Sequence, residues 1–81
     1  IYFLYVKRKL KEIMSVVFNE SIEEIKPDCS FEKFEKWDSL AHLNLIIAIE
    51  ESFNIKLSNE EVEEAASFNS IIEILRNKNI T

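Results

Sequence analysis

Residues 35–46 read EKWDSLAHLNLI, and this stretch decides how the rest of the chain is interpreted. An aspartate and a serine, Asp38 and Ser39, directly precede a run rich in leucine and isoleucine. Both residue types are favoured at helix N-termini, where a side-chain oxygen accepts a hydrogen bond from a free backbone N–H group. We therefore predict that Asp38 or Ser39 caps a helix that runs to about Phe53.

The predicted helix has two apolar stripes. One continuous stripe has the spacing of a single helical face and is the predicted core face; it comprises His42, Leu45, Ile46, Ile49 and Phe53. The second lies roughly on the other side and comprises Leu40, Leu43 and Ile47. The helix is therefore either sandwiched or exposes an apolar patch beside its N-terminus, and periodicity alone leaves both open. Exposed patches of this kind usually mark sites for partners or ligands.

The other segments predict three further helices. Apolar residues recur every three or four positions from Phe3 to Phe18, which indicates a first helix. Residues 19–37 lack this periodicity and are predicted to form a long loop with a helical turn at residues 21–25. Its candidate anchors to the core are Ile22, Ile25, Phe31, Phe34 and Trp37.

Two serines mark the remaining helix starts. Ser58 followed by Glu61 is a capping-box pattern and predicts a short third helix to about Ala65. Ser67 predicts a fourth helix that ends near Asn77. The predicted fold is all-α: a small four-helix bundle of three longer helices and one short one, in a single domain of residues 1–81.

Composition excludes several classes of function. The 81 residues include no glycine and one proline, which argues against a Gly-rich phosphate loop. Fifteen acidic and ten basic residues give a net charge of −5, which disfavours nucleic acid and anionic membranes and favours partners with basic patches. One cysteine and one histidine offer no disulfide and no metal-ligand set. The apolar start, residues 1–6, is too short for a membrane span, and we expect a cytoplasmic monomer.

Asp38-Ser39-Leu40 at the head of an apolar helix resembles the phosphopantetheine attachment motif of acyl carrier proteins. The surrounding stretches SFEKFEKWDSLAHLNLIIAIEESFNIKL and SNEEVEEAASFNSIIEIL are similar to that family from its first loop to its fourth helix. The resemblance covers essentially residues 7–76. It departs at Trp37, where the family often has glycine, and just after the serine, where fatty-acid carriers are usually acidic and this chain has Ala41, His42 and Asn44. The departures favour a specialised carrier, for a polyketide, peptide, cell-envelope or saccharide-modification pathway.

The resemblance implies a role for each residue of the site. Ser39 would be esterified with 4′-phosphopantetheine by a phosphopantetheinyl transferase, and the thiol of that arm would carry acyl or aminoacyl groups as thioesters. Asp38 would be the acidic partner in the attachment motif, which also includes Leu40. Partner enzymes for loading and processing would contact Leu40, Leu43 and Ile47, with an acidic rim from Glu50 and Glu51. The core lining, where some family members shelter the acyl chain, would be Leu45, Ile46, Ile49 and Phe53.

Two other hypotheses use the same residues. In an enzyme, Ser39 would be a nucleophile with His42 three residues away as its base, but no oxyanion hole or acidic orienting residue is evident. In an interaction module, the stripe of Leu40, Leu43 and Ile47 would bind a partner and Ser39 would be only a helix cap. The carrier interpretation predicts no catalytic residues, so we expect that the protein is not an enzyme.

Overall fold

The computed structural model describes residues 2–80, which form four α-helices and one short 3-10 helix. α1 spans Tyr2–Phe18, α2 spans Ser39–Phe53, α3 spans Asn59–Glu64 and α4 spans Phe68–Asn77. The 3-10 helix, Ile22–Glu24, lies in the long loop between α1 and α2. The predicted four-helix bundle is confirmed, and the helix boundaries differ from the predicted ones by about one residue, which is within the usual uncertainty of such boundaries.

Side-chain caps start three of the helices. A carboxylate oxygen of Asp38 accepts a hydrogen bond from the Ala41 N–H, at 2.9 Å, at the start of α2. The Ser58 hydroxyl accepts from the Glu61 N–H at 3.1 Å, and the Glu61 carboxylate accepts from the Ser58 N–H at 2.9 Å, so the capping box that begins α3 is complete. Ser67 begins α4 with a second reciprocal pair. These bonds satisfy N–H groups that have no partner within the helix itself.

Asparagine takes the left-handed backbone conformation at helix ends. Asn19, Asn54 and Asn79 have φ angles of 52°, 54° and 63°, each just after or at the end of a longer helix. Glycine usually occupies such positions, and asparagine is the side-chain-bearing residue that tolerates them best. Asn54 ends α2 in this way, and its N–H donates to the Glu50 carbonyl.

The core is a single cluster built around the three longer helices and the long loop. Trp37 is only 1% exposed, and its ring lies 5.3 Å from that of Phe18. Of the candidate loop anchors, Ile25 and Trp37 are buried and Phe34 is half-buried. The core comprises Val6, Leu10, Met14, Phe18, Ile25, Cys29, Trp37, Leu45, Ile46, Ile49, Ala65, Phe68, Ile71, Ile72, Ile74 and Leu75.

Phe31 departs from its predicted role as an anchor, because its side chain is 41% exposed. Its backbone explains the position. The Phe31 N–H donates to the Ala66 carbonyl at 2.8 Å, and the Phe68 N–H donates to the Cys29 carbonyl at 2.9 Å. These bonds, with an isolated β-bridge between the same two segments, fix the loop beside the start of α4. The loop is thus held at this point by backbone pairing, which leaves the Phe31 ring at the surface.

Candidate functional site

Ser39 is the first residue of α2, and its side chain is exposed. Asp38, and not Ser39, is the residue that caps this helix. The Ser39 hydroxyl makes no hydrogen bond with any other residue among 2–80. The hydroxyl therefore has no structural task in the helix start and is accessible to a reagent from solvent.

The second apolar stripe of α2 is exposed. Leu40, Leu43 and Ile47 have 70%, 56% and 52% of their surface accessible, so α2 is not sandwiched. We call these three side chains the α2 patch. Because the patch begins at the residue after Ser39, the free hydroxyl and an unpartnered apolar surface lie side by side.

The first stripe of α2 is confirmed as the core face. Leu45, Ile46 and Ile49 are buried, and Phe53 is half-buried against the same cluster. These four residues, together with the exposed α2 patch, make α2 a helix with one face in the core and the other available to a partner.

His42, the remaining member of the core stripe, connects three segments of the chain. The Trp37 indole N–H donates to Nδ1 of His42 at 3.0 Å, so Nδ1 is an acceptor. Nε2 therefore holds the proton of the neutral ring, and it donates to the Val62 carbonyl in α3 at 2.8 Å. Both ring nitrogens are engaged, and neither is available to take a proton from Ser39. The arrangement that the enzyme hypothesis needs is absent at this histidine.

The acidic residues at the far end of α2 have different environments. Glu51 is exposed. Glu50 is half-buried, and one of its carboxylate oxygens accepts a hydrogen bond from the Leu57 N–H at 2.9 Å. That carboxylate helps to fix the connection between α2 and α3, so only part of its hydrogen-bonding capacity is free for a partner.

Two other carboxylates are paired with lysines. The Lys36 ammonium lies 2.9 Å from the Glu20 carboxylate, and this hydrogen bond lowers the pKa of Glu20. The backbone N–H of Ser58, followed by the Lys78 ammonium at 3.1 Å, lowers the pKa of Glu61. The second pair joins α3 to the end of α4. It adds a polar link to a helix of which no residue is fully buried.

The sequence predicted Trp37 as an anchor of the long loop and His42 as part of the core face of α2, but the hydrogen bond that connects them was missed. Their residue types contained the signal, since a buried indole N–H and a half-buried imidazole each need a partner. Trp37 and His42 meet this need by hydrogen bonding to each other. Trp37 is the residue that stands where the resembling family often has glycine. The backbone acceptor at Val62 could not be identified from sequence, because any carbonyl near the ring would serve.

Over residues 2–80, none of the helices combines the length and the apolar character that crossing a bilayer requires.

Comparison with known proteins agrees with this geometry. Residues 8–75 match the family model described as phosphopantetheine attachment site. The acyl carrier protein of Buchnera aphidicola subsp. Schizaphis graminum is 38% identical over 74 residues, which are 91% of this chain and 94% of the relative. The acyl carrier protein of Thermosynechococcus vestitus is 29% identical over 73 residues, 90% of each chain. The solution NMR structure of holo acyl carrier protein from Geobacter metallireducens superimposes with a TM-score of 0.77 at 25% identity, covering 89% of this chain and 83% of that one.

The chain belongs to the acyl carrier protein family. It is an acyl carrier protein with a phosphopantetheine attachment domain, and members of this family are carriers rather than catalysts.

Proposed function

We propose that Ser39 is the residue that carries 4′-phosphopantetheine, and that residues 1–81 act as one domain that presents acyl or aminoacyl groups to partner enzymes. The observation that carries this proposal is the exposed Ser39 hydroxyl at the head of α2, free of hydrogen bonds because Asp38 caps the helix. When bound, the phosphopantetheine group supplies a thiol that holds the acyl group as a reactive thioester.

The backbone around Ser39 suits a phosphodiester. The N–H groups of Ser39 and Leu40 lie in the first turn of α2, and neither donates to another described residue. Free N–H groups and the positive end of the helix dipole stabilise an anion at this position. The family membership and this local geometry therefore support the same residue.

Asp38 has a second role in the proposal. Its Oδ1 atom accepts the capping hydrogen bond from Ala41, and the side chain as a whole is exposed. The other carboxylate oxygen is therefore accessible to a phosphopantetheinyl transferase and its bound cation, so that one residue both fixes the helix start and orients Ser39 for modification.

The α2 patch is the surface that partner enzymes contact. Leu40, Leu43 and Ile47 supply apolar area next to Ser39, and Glu51 with the free oxygen of Glu50 supplies negative charge. Modifying, loading and processing enzymes with basic patches would dock here. Charge complementarity speeds encounter with such partners more than it adds affinity, which suits a carrier that must leave each enzyme quickly.

The buried face of α2 forms the inner side of the site. Leu45, Ile46, Ile49 and Phe53 hold the helix on the core, and they would line any space that an acyl chain opened there. The residue that an enzymatic function would need as a base, His42, has both ring nitrogens in hydrogen bonds, which supports a carrier without catalytic residues. A monomeric state, a cytoplasmic location and a specialised biosynthetic pathway remain predictions from sequence.

Intact-mass spectrometry tests the attachment site. The apo protein is incubated with coenzyme A and a broad-specificity phosphopantetheinyl transferase, in parallel with Ser39→Ala and Ser52→Ala. Ser52 is a matched control, because it is a second exposed serine of the same helix. We expect a mass gain of one phosphopantetheine group in the wild type and in Ser52→Ala, and none in Ser39→Ala.

A different pattern would reject the proposal. Modification that persists in Ser39→Ala would place the arm on another residue. No modification of any folded variant would leave a helical domain that binds partners through the α2 patch, which is the interaction-module hypothesis.

A further inference from the structure

A groove of about 470 Å³ lies between α1 and the 3-10 helix of the long loop. None of its lining residues belongs to α2; they are Leu4, Lys7, Arg8, Lys11, Ile22 and Glu23. Positions 4, 7, 8 and 11 are three or four residues apart, so their side chains share one face of α1. We call Leu4, Lys7, Arg8 and Lys11 the α1 basic face. The groove is therefore built by other elements than the candidate site.

Positive charge is concentrated on α1. This helix has four basic residues and one acidic residue, in a chain whose net charge is −5. None of the ion pairs found among residues 2–80 includes a residue of α1, and none includes Glu23 in the same groove. The Lys7 ammonium lies 5.4 Å from the centroid of the Phe3 ring, a contact that leaves its charge in place. Because like charges one turn apart destabilise a helix, an anionic ligand beside Lys7 and Lys11 would relieve a repulsion that the folded chain retains.

Apolar side chains accompany the positive charges in the groove. Leu4 on α1 is 67% exposed, and Ile22 joins the lining from the 3-10 helix. An inorganic anion would neutralise the charges and leave this apolar area in water. Because burial of exposed apolar surface is favourable, the groove suits a ligand that has both acidic and apolar groups.

The spacing of the cations matches one kind of acidic ligand. Lys7 and Lys11 are four residues apart, which is about 6 Å along the helix axis at 1.5 Å per residue. Two carboxylates one turn apart on another α-helix have the same separation. A helix with such carboxylates beside an apolar stripe can therefore face both cations while its apolar side chains contact Leu4 and Ile22.

Two other anionic surfaces fit the groove less well. An anionic bilayer would be brought against the exposed carboxylates of Glu23 and Glu24, which lie on the 3-10 helix that forms the other wall. A second copy of this chain offers Glu60 and Glu64, exposed and one turn apart on α3. A contact between α1 of one copy and α3 of the next is head-to-tail, so it would propagate into rings or filaments.

We propose that the α1 basic face is a second docking surface, and that it binds an acidic amphipathic helix of a partner protein. Carboxylates one turn apart pair with Lys7, Arg8 and Lys11, and an apolar side chain lies over Leu4 and Ile22. The groove shares no residue with Ser39 or the α2 patch, so this partner holds the carrier while α2 remains available to enzymes. The inference does not depend on attachment at Ser39.

An NMR titration of the whole chain with a synthetic peptide tests the inference. The peptide is about 20 residues long, because shorter isolated helices are marginal in water, and it has glutamates one turn apart beside a leucine stripe. A matched peptide has glutamine in place of each glutamate. We expect the glutamate peptide to shift the signals of the α1 basic face and the methyl signals of Ile22, and to leave those of the α2 patch unchanged. The glutamine peptide should bind much more weakly.

Charge reversals show whether the groove itself causes the binding. The double variant Lys7→Glu, Lys11→Glu should weaken peptide binding by at least about tenfold, because like charges across an interface are strongly unfavourable. Lys9→Glu is the matched control, since Lys9 is a half-buried lysine of the same helix that does not line the groove. At physiological salt, where charges are screened over about 8 Å, it should change the affinity by less than about threefold. Leu4→Ser should weaken binding several-fold through loss of the apolar contact.

Several results would overturn the inference. They are no binding of the glutamate peptide, equal affinity for the two peptides, and equal losses in Lys9→Glu and the double variant. Binding to phosphatidylglycerol vesicles that the double variant abolishes would assign the face to lipid, and self-association in sedimentation that the same variant abolishes would assign it to a second copy. Saturating peptide should leave the rate of Ser39 modification unchanged, and a lower rate would show that the two surfaces overlap. Failure to modify Ser39 at all would instead refute the attachment proposal and leave the peptide result standing.

Discussion

Replacing Asp38 and Ser39 separately distinguishes the capping residue from the reactive one. The Asp38 carboxylate accepts the Ala41 N–H at 2.9 Å, and loss of such a cap costs about 1 kcal/mol, within a range of about 0.5–2 kcal/mol. For a domain of this size, 1 kcal/mol corresponds to about 4–8 °C in melting temperature. Ser39 is exposed and makes no side-chain hydrogen bond, so Ser39→Ala should change the free energy of unfolding by less than about 0.5 kcal/mol.

Urea unfolding followed by the fluorescence of Trp37 measures both effects. Trp37 is the one tryptophan and is 1% exposed when folded, so unfolding changes its surroundings completely. Asp38→Asn is the matched control, because asparagine caps helices as well as aspartate and lacks the charge. We expect Asp38→Asn to keep most of the stability and to be modified at Ser39 more slowly, since the carboxylate is gone. A loss of stability in Ser39→Ala equal to that in Asp38→Ala would refute the assignment of the cap.

Three further predictions concern stability and reactivity. His42→Ala should lower the free energy of unfolding, measured in urea, by about 1–3 kcal/mol, because it leaves the buried indole N–H of Trp37 without its acceptor. Val16→Ala is the exposed control, and a loss in His42→Ala no larger than in this control would contradict the hydrogen bond. The pKa of Glu61 is lowered in the folded state, so the stabilisation from its carboxylate is present at neutral pH and is lost as the pH falls through the lowered pKa. Lys78→Met removes one cause of this lowering, so the melting temperature of the variant should fall less steeply with acidification than that of the wild type. Parallel curves of melting temperature against pH would count against the ion pair. Burial raises the pKa of the Cys29 thiol, so a thiol reagent at neutral pH should label folded apo protein slowly and urea-unfolded protein fast, and equal rates would show that Cys29 is accessible.

The helices were predictable because their signals are local. Asp38 and Ser67 each precede a segment with apolar residues at helical spacing, and Ser58 stands three residues before Glu61 in a capping-box pattern. Each of the three caps a helix in the structure. The four-helix fold therefore follows from spacing and capping, which depend on residues a few positions apart.

The α2 patch was recognised but its exposure was not predictable. Leu40 and Leu45 belong to opposite stripes of similar apolar character, and nothing in the spacing indicates which stripe another helix covers. That depends on how α1 packs against α2, which is set by contacts between residues far apart in the chain. The exposed Phe31 ring has the same origin, because its position depends on a backbone bond to Ala66.

The left-handed asparagines have a consequence for the unfolded chain. Asn19, Asn54 and Asn79 adopt the backbone geometry that glycine usually supplies, in a protein with no glycine. A glycine residue raises the entropy of the unfolded state, and replacing one at a compatible site typically stabilises by about 0.4–1 kcal/mol. The chain thus loses less conformational freedom on folding than a relative with glycine at these three positions would. That entropic gain is opposed by the backbone strain of a side-chain-bearing residue at positive φ, and asparagine is the residue that keeps this strain small.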